Sequence, residues 1–307
     1  MDPLVSVVIP FYNQERFVDE ALSSVLSQAH PRIELIAADD ASTDGTLEAL
    51  RRFETAPVER IRILSTPVNL GISGNMNRAL AEVTGEFVAW MGGDDVMLPG
   101  KLDRQVRELR RHPEAVASVH DAEVFDSDSG RVLGRFTDLY NGRRGVRDGG
   151  VELVFDPTYF MLPSATMFRA AAMPPHGFDE RLRFGNDLLW YIELLRQGRV
   201  VGSDDVLVRY RRHASNVTAD SETQARKLEE GLMTMAIVES RYPELARLGR
   251  RREAAFLLVE AGNAAASGNR RAAARFASAA LSRGGIVDTS RESLRLARGA
   301  LDRRRGR

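Results

Sequence analysis

Along the first hundred residues, short apolar runs alternate with segments whose apolar positions recur every three or four residues. LVSVVIP (Leu4 to Pro10) is a β-branched run stopped by proline, the pattern of a strand buried on both faces. In NQERFVDEALSSVLSQ, Phe17, Val18, Ala21, Leu22, Val25 and Leu26 fall at helical spacing, which predicts an amphipathic helix capped by Asn13. IELIAADDAS reads as a second strand, and STDGTLEALRRF as a helix opened by Ser42, Thr43 and Asp44. RIRILST, SGNMNRALAEV and EFVAWM then give strand, helix and strand. This alternation predicts a doubly wound, mostly parallel sheet flanked by helices, a fold that binds ligands outside the carboxyl ends of its strands. Beyond it come a helix, LPGKLDRQVRELRRH, begun near Pro99, and a strand, AVASVHDAEVFD. Residues 127–150 are rich in Gly, Arg and Asp and predict turns or a mobile loop. From about residue 221 the composition shifts to Ala, Arg, Leu and Glu at helical spacing, with ASGN separating two helices of a hairpin. The expected division is residues 1–220 as the α/β domain and 221–307 as an Arg-rich helical C-terminal region.

Three of the predicted strand ends carry chemistry: PFYN after the first strand, Asp39-Asp40 after the second and Asp94-Asp95 after the fourth. Adjacent carboxylates repel, and only a cation, a proton or full hydration relieves them. Composition narrows the choice. The chain has no cysteine, which excludes disulfides and thiolate ligands, so any metal sits on oxygen or imidazole. Its 43 basic and 43 acidic side chains cancel, and no nucleic-acid partner is expected. The cancellation is uneven, because from Arg241 onward 16 Arg stand against six Asp or Glu. A basic C-terminal region predicts peripheral contact with an anionic membrane, at about 1 kcal/mol per basic residue near the surface. MDPLVSVVIP lacks a basic segment followed by a long apolar core, and no apolar run approaches the roughly 20 residues of a spanning helix. The expected location is cytoplasmic, at the inner face of the membrane.

VSVVIPFYNQERFVDEALSSVLSQ, DDASTDGT, NLGISGNMNRAL, MGGDDVMLP, FDERLRFGNDLLWYIELL and YRRHASN occur in one order and at compatible spacing. From about Val5 to Asn216 the chain thereby resembles the inverting glycosyltransferases of family 2. The resemblance implies the nucleotide-sugar-binding GT-A fold and Mn2+ or Mg2+ as cofactor. It also implies transfer from a nucleotide-sugar donor to the hydroxyl of a saccharide or lipid-linked saccharide in surface glycan synthesis. Asp94 corresponds to the last Asp of the family's Asp-x-Asp motif and is expected on the metal, with Asp95 supporting metal or sugar. Gly92 replaces the first Asp, and Gly92 and Gly93 would let a diphosphate approach the backbone. Asp40 matches the acceptor for the nucleotide base, with Asp39 beside it and Pro10, Phe11, Tyr12 and Glu15 lining the nucleoside pocket. A carboxylate accepts from the imide N–H of uracil or thymine, which cytosine lacks, so a UDP- or dTDP-sugar is favoured. Asn69 matches the donor-side motif, while Met76 stands where the family often has Arg.

His213 follows the last core strand, where it would ligate the metal or touch the diphosphate, with Arg211 and Arg212 neutralising charge. The other histidines, His30, His112, His120 and His176, lie near turns and are expected only to cap or to be solvated. Asp187 is the expected catalytic base, in a pair that reads Asn186-Asp187 where the family has Glu-Asp. The helix N-terminus is expected to lower its pKa and keep it ionised. FDPTYFMLPSATMFR is the expected acceptor wall. A nucleotidyltransferase would carry a glycine-rich loop with Arg and Lys after the first strand, and a dehydrogenase G-x-G-x-x-G; PFYNQERF is neither. A non-catalytic nucleotide-binding protein with a basic tail is supported by Gly92 and Met76. The intact Asp40, Asp94, Asp95 and Asp187 oppose it.

Overall fold

A computed structural model describes residues 2–183, 186–214, 216 and 222–285. The expected alternation appears as β1 (Val5–Phe11), α1 (Glu15–Leu26), β2 (Ile33–Asp39), α2 (Thr46–Arg51), β3 (Arg60–Leu64), α3 (Gly71–Leu80) and β4 (Phe87–Trp90). β3, β2, β1 and β4 lie side by side and parallel. Their side chains alternate between two cores. Val8, Ile36, Val88 and Trp90 face α3 and the helix that carries Asp187, whereas Val7, Ile9, Leu35 and Ala89 face α1. Burial on both faces is why these strands are continuously apolar.

The remainder of the sheet is mixed. β8 (Thr166–Arg169) runs antiparallel between β4 and β6 (Ala115–Asp126), and β9 (Arg199–Arg212) lies parallel to β6. The two-residue β5 (Val96–Met97) is antiparallel to β9, in register Val96 with Arg209. This pairing ties the turn after β4 to the far end of β9. Between residues 127 and 150, expected as turns, the chain forms β7 (Val132–Arg135), antiparallel to β6, and α5 (Phe136–Tyr140). Buried Asp121 organises the return by accepting from the Thr137 N–H at 3.1 Å and its hydroxyl at 2.7 Å.

The remaining helices are α4 (Lys101–Arg111), α6 (Asn186–Leu195), α7 (Glu222–Arg241) and α8 (Ala246–Ala266), and 270–285 is helical. The expected break falls at 267–269, where Gly268 takes φ +81°. Met235, Val238 and Leu245 join the core that contains Trp190 and Val200. Residues 286–307, with the LDRRRGR end, lie outside the described residues. No helix among the described residues is long and apolar enough to cross a membrane.

Two histidines expected at solvated turns are buried instead. His30 bridges Asp103 at 2.8 Å and the Pro3 carbonyl at 2.9 Å. His120 lies beneath α4, where burial and the neighbouring Lys101 push its pKa well below the ordinary value. Lys101 itself is fully buried and donates to Gln105 Oε1 at 2.7 Å, and burial lowers its pKa to about 7. The unfolded chain therefore holds this proton more tightly than the native one between pH 7 and 10.5, so native stability rises with pH across that window. Lys101→Met is expected to raise the melting temperature at pH 7. The advantage should shrink towards pH 10, by at most about 1.4 kcal/mol per pH unit. Melting curves at the two pH values test this, and an advantage independent of pH would contradict it.

Candidate active site

The carboxyl ends of β1, β2 and β4 open on one cleft of about 1300 Å³. Its first wall is two loops laced together. Asn13, expected to cap α1, takes φ +51° and accepts from the Thr43 N–H at 2.8 Å, while its own N–H donates to Ser42 Oγ at 2.9 Å. The helix starts at Glu15 with no side-chain cap, because Asn13 is committed to the neighbouring loop. Pro10, Phe11, Tyr12 and Glu15 all line the cleft, with Tyr12 half exposed at its mouth. Glu15 also accepts from the Gly45 N–H at 3.1 Å.

Asp40 lines the same wall; one of its oxygens accepts from the Leu70 N–H at 2.7 Å. Asn69 reaches the cleft and donates to the Asp40 carbonyl at 3.1 Å, so it also shapes the base-side loop. Asp39 does not line the cleft; it is buried and accepts from the Ser42 N–H at 3.2 Å. Arg78 turns inward and donates to the carbonyls of Ser65 and Asp39 at 2.6 and 2.9 Å. Met76 lines the cleft floor.

The turn after β4 gives the adjacent aspartates different surroundings. Asp95 is buried, with one oxygen accepting from the Arg211 N–H at 2.9 Å and the other from the Ser164 hydroxyl. Burial first, and then the Asp94 charge, push its pKa well above the ordinary carboxylate value. Thus the expected support for the metal is the side chain that fixes the turn. Ser164 continues the fixation by accepting from the Gly92 N–H at 3.0 Å. Arg211 does not line the cleft either: its Nε donates to the Asp94 carbonyl at 2.6 Å and its guanidinium pairs with Glu20. Asp94 faces the cleft. Its Oδ2 meets His213 Nε2 at 2.9 Å and Asn216 Nδ2 at 3.2 Å, and Oδ1 has no protein donor among the described residues. His213 lines the cleft beside it and packs on Phe17, with ring centroids 4.9 Å apart.

The two glycines of this turn have a steric reason. A Cβ on Gly92 would lie 2.8 Å from Asp94 Oδ1, and one on Gly93, which lines the cleft, 2.5 Å from the Phe11 ring. A side chain at position 92 is admitted only if the Asp94 carboxylate, the end of a flexible side chain, shifts.

Asp187 lines the same cleft from the first turn of α6. Asn186 anchors the helix: it is buried, donates to Ser73 Oγ at 3.0 Å and accepts from the Asp187 N–H at 2.8 Å. Asp187 borders the cleft but is otherwise enclosed by protein, and burial raises its pKa to about 6. The expectation of a lowered value fails because desolvation outweighs the Leu188 and Asp187 N–H groups that favour the anion. Asp94 and Asp187 thus line one cavity from two separate elements. Ser164 and Asn216 were not among the expected site residues; their hydroxyl and amide are read only from contacts distant in sequence.

Residues 6–170 match the family model described as Glycosyl transferase family 2. The chain is 39% identical over 226 residues to a putative teichuronic acid biosynthesis glycosyltransferase, TuaG, of Bacillus subtilis, covering 73% of this chain and 85% of that one. It is 35% identical over 135 residues to the Escherichia coli UDP-Glc:alpha-D-GlcNAc-diphosphoundecaprenol beta-1,3-glucosyltransferase WfgD, covering 44% and 51%. Coverage of such relatives varies: the match to the putative glycosyltransferase EpsE of B. subtilis, 38% identical, spans 36% of this chain and 40% of that one. Among solved structures, S. aureus TarS 1-349 in complex with UDP-GlcNAc superposes with a TM-score of 0.69 at 17% identity, over 99% of this chain and 90% of that one. The mannosyltransferase PcManGT of Pyrobaculum calidifontis, in complex with GDP-Man and Mn2+, gives 0.57 at 21% identity, over 99% and 87%. At these identities the two structures establish the likeness of fold.

Proposed function

Since the chain belongs to glycosyl transferase family 2, we propose that it moves a sugar from a nucleoside diphosphate to an acceptor hydroxyl with inversion, using Asp187 as the base. The observation that carries this reading is that Asp94 and Asp187, from separate elements of the fold, line one cleft. A single displacement needs the leaving diphosphate on one face of the sugar and the attacking hydroxyl on the other. Asp94 belongs to the first side and Asp187 to the second. Asp187, with a pKa of about 6, is mostly ionised at neutral pH and basic enough to accept the proton as the hydroxyl attacks.

The donor set fits a divalent cation shared with the substrate. Among the described residues Asp94 Oδ1 accepts from no protein donor and would serve as an oxygen ligand, and the His213 imidazole lies beside the same carboxylate. Among the described residues no three acidic or imidazole side chains converge into a ready-made cage. Asp94 and His213 would hold the ion, and diphosphate oxygens would complete its shell, a common mode for Mg2+ and chemically open to Mn2+. When bound, the ion neutralises the charge that develops on the leaving group. Asp95, with both oxygens engaged, serves this function through the turn.

Asp40 keeps an oxygen for the imide N–H of uracil or thymine, and UDP- and dTDP-sugars remain the preferred donors. Guanine N1–H offers a similar donor, so GDP belongs in any test. The acceptor proposed is a saccharide or lipid-linked saccharide of a surface glycan, a reading supported by the names of TuaG and WfgD. The excess of Arg after residue 240 supports peripheral membrane contact. A thermal-shift panel of UDP, dTDP, GDP, CDP and NAD, each with and without Mn2+, tests the reading. Metal-dependent stabilisation by UDP or dTDP is expected; a response confined to NAD would overturn it. Binding to anionic vesicles should fall steeply between 0.05 and 0.5 M salt, and salt-independent binding would remove the membrane proposal.

A further inference from the structure

We propose that a second cavity, floored by α7 and bordering the catalytic cleft, holds the apolar chain of a phosphate-linked lipid acceptor while its saccharide lies at Asp187. The proposal deepens the reading of the acceptor as a lipid-linked saccharide and rests on it. The cavity has a volume of about 360 Å³ and is lined by Arg181, Met233, Ala236, Ile237, Ser240 and Arg241. The four α7 residues among them recur at i, i+3, i+4 and i+7 and therefore share one face of the helix. A different face closes the core: Met235 and Val238 are fully buried, whereas Met233 and Ile237 are half-buried and Ala236 is exposed. A surface helix needs one apolar stripe to dock; α7 carries a second, which opens on the cavity.

Its place beside the base points to the occupant. Residues 178–183 are the partition, since Phe178 and Arg183 line the catalytic cleft and Arg181 lines the second cavity. The Cα atoms of Arg181 and Arg183 are at most about 7 Å apart, the reach of two residues. The partition is fixed on α3, whose Ser73 hydroxyl donates to the Leu182 carbonyl at 2.7 Å and whose Asn77 amide donates to the Phe178 carbonyl at 3.0 Å. The far rim is fixed on α6: Arg241 donates to Glu193 Oε1 at 2.8 Å, and Glu193 follows Asp187 by six residues, about 9 Å of helix. One pyranose with its linking diphosphate covers a comparable span, so a chain attached to it would emerge at Met233 and Ile237. The rim also suits the link. Arg181 donates to Asp179 at 2.6 and 2.8 Å, and Arg241 approaches the same carboxylate at 3.8 Å, so both guanidiniums are held in place and largely neutralised. Arg183 forms no ion pair among the described residues and can meet phosphate oxygens from the cleft side. A free phosphate would use Arg183 alone, whereas a phosphate bearing a hydrocarbon chain also covers the apolar stripe.

The probe is farnesyl diphosphate, titrated into the full-length chain by calorimetry, with inorganic diphosphate for comparison. Farnesyl diphosphate should bind at least about tenfold more tightly, the gain from burying a few methylenes. Ala236→Trp fills the cavity from an exposed position; it should cancel this advantage and leave the affinity for the responding nucleoside diphosphate unchanged. Equal affinity for the two diphosphates, or an advantage that survives Ala236→Trp, would overturn the proposal. So would binding to phosphatidylglycerol vesicles that falls by the same factor in Ala236→Trp, since the cavity would then serve membrane lipid. Should Ala236→Trp fail to fold, the wild-type chain still decides: a photoreactive group on the farnesyl chain should label α7 between residues 233 and 240, and labelling elsewhere alone would refute the site. Transfer assays separate the site from the acceptor reading. An unchanged KM of Ala236→Trp for a prenyl-diphosphate-linked saccharide ends the proposal and keeps that reading. Transfer to soluble saccharides alone, with the farnesyl advantage intact, ends the reading and keeps the lipid-phosphate site.

Discussion

Asp187→Asn is expected to slow transfer by roughly 100- to 10,000-fold, the range set by loss of a positioned general base. Nucleotide affinity should be unchanged within about twofold, because a base of this kind acts on the acceptor hydroxyl and not on the nucleotide. The helix should survive the change, since Asn186 ties its start to Ser73 and to the Asp187 N–H, and an amide at position 187 still offers an oxygen to the Leu188 N–H. The wild-type pH profile gives an independent check. A base with a pKa of about 6 must be deprotonated to act, so kcat/KM should rise about tenfold per unit below pH 6 and level off above it. In Asp187→Asn that limb should vanish. Residual activity within a few-fold of wild type, with the limb intact, would place the base elsewhere. Calorimetry with the responding nucleoside diphosphate separates lost chemistry from lost binding.

How far the sequence foretold this arrangement depends on how local each determinant is. β1 and β2 are legible because burial on both faces leaves a continuous apolar run. α1 is legible because only one of its faces meets the core. β8 and β9 are not legible as partners of β4 and β6, since pairing direction is fixed by segments dozens of residues apart. The same divide runs through the site. That Asp94, Asp95 and Asp187 would gather at strand and helix ends follows from the order of elements. Which way each carboxylate turns does not. Asp95 turns inward because Ser164 and the Arg211 N–H meet it there, from residues 69 and 116 positions away. The direction of the Asp187 pKa is hidden for the same reason: a helix start is visible in sequence, whereas the groups that desolvate the carboxylate come from other parts of the chain.

The unequal surroundings of the two adjacent aspartates lead to the second large effect. Asp94→Asn removes the negative charge that faces the cleft, and a metal-assisted departure of the diphosphate loses several kcal/mol of charge stabilisation. Transfer is expected to fall at least about 100-fold, and the Mn2+-dependent part of nucleotide stabilisation should disappear. Asp95→Asn is a milder change. That carboxyl is already pushed towards its neutral form by burial and by Asp94, and an amide of the same shape still accepts from the Arg211 N–H. The Ser164 hydroxyl loses its acceptor, so melting temperature should drop and activity decline about tenfold, as for loss of an outer-shell partner. The metal dependence should remain. Mn2+ titrations of activity on the two variants decide the matter. Equal loss of metal dependence would make Asp95 a direct ligand, whereas retention in Asp95→Asn alone assigns the ion to Asp94 and the rigidity of its turn to Asp95, Ser164 and Arg211.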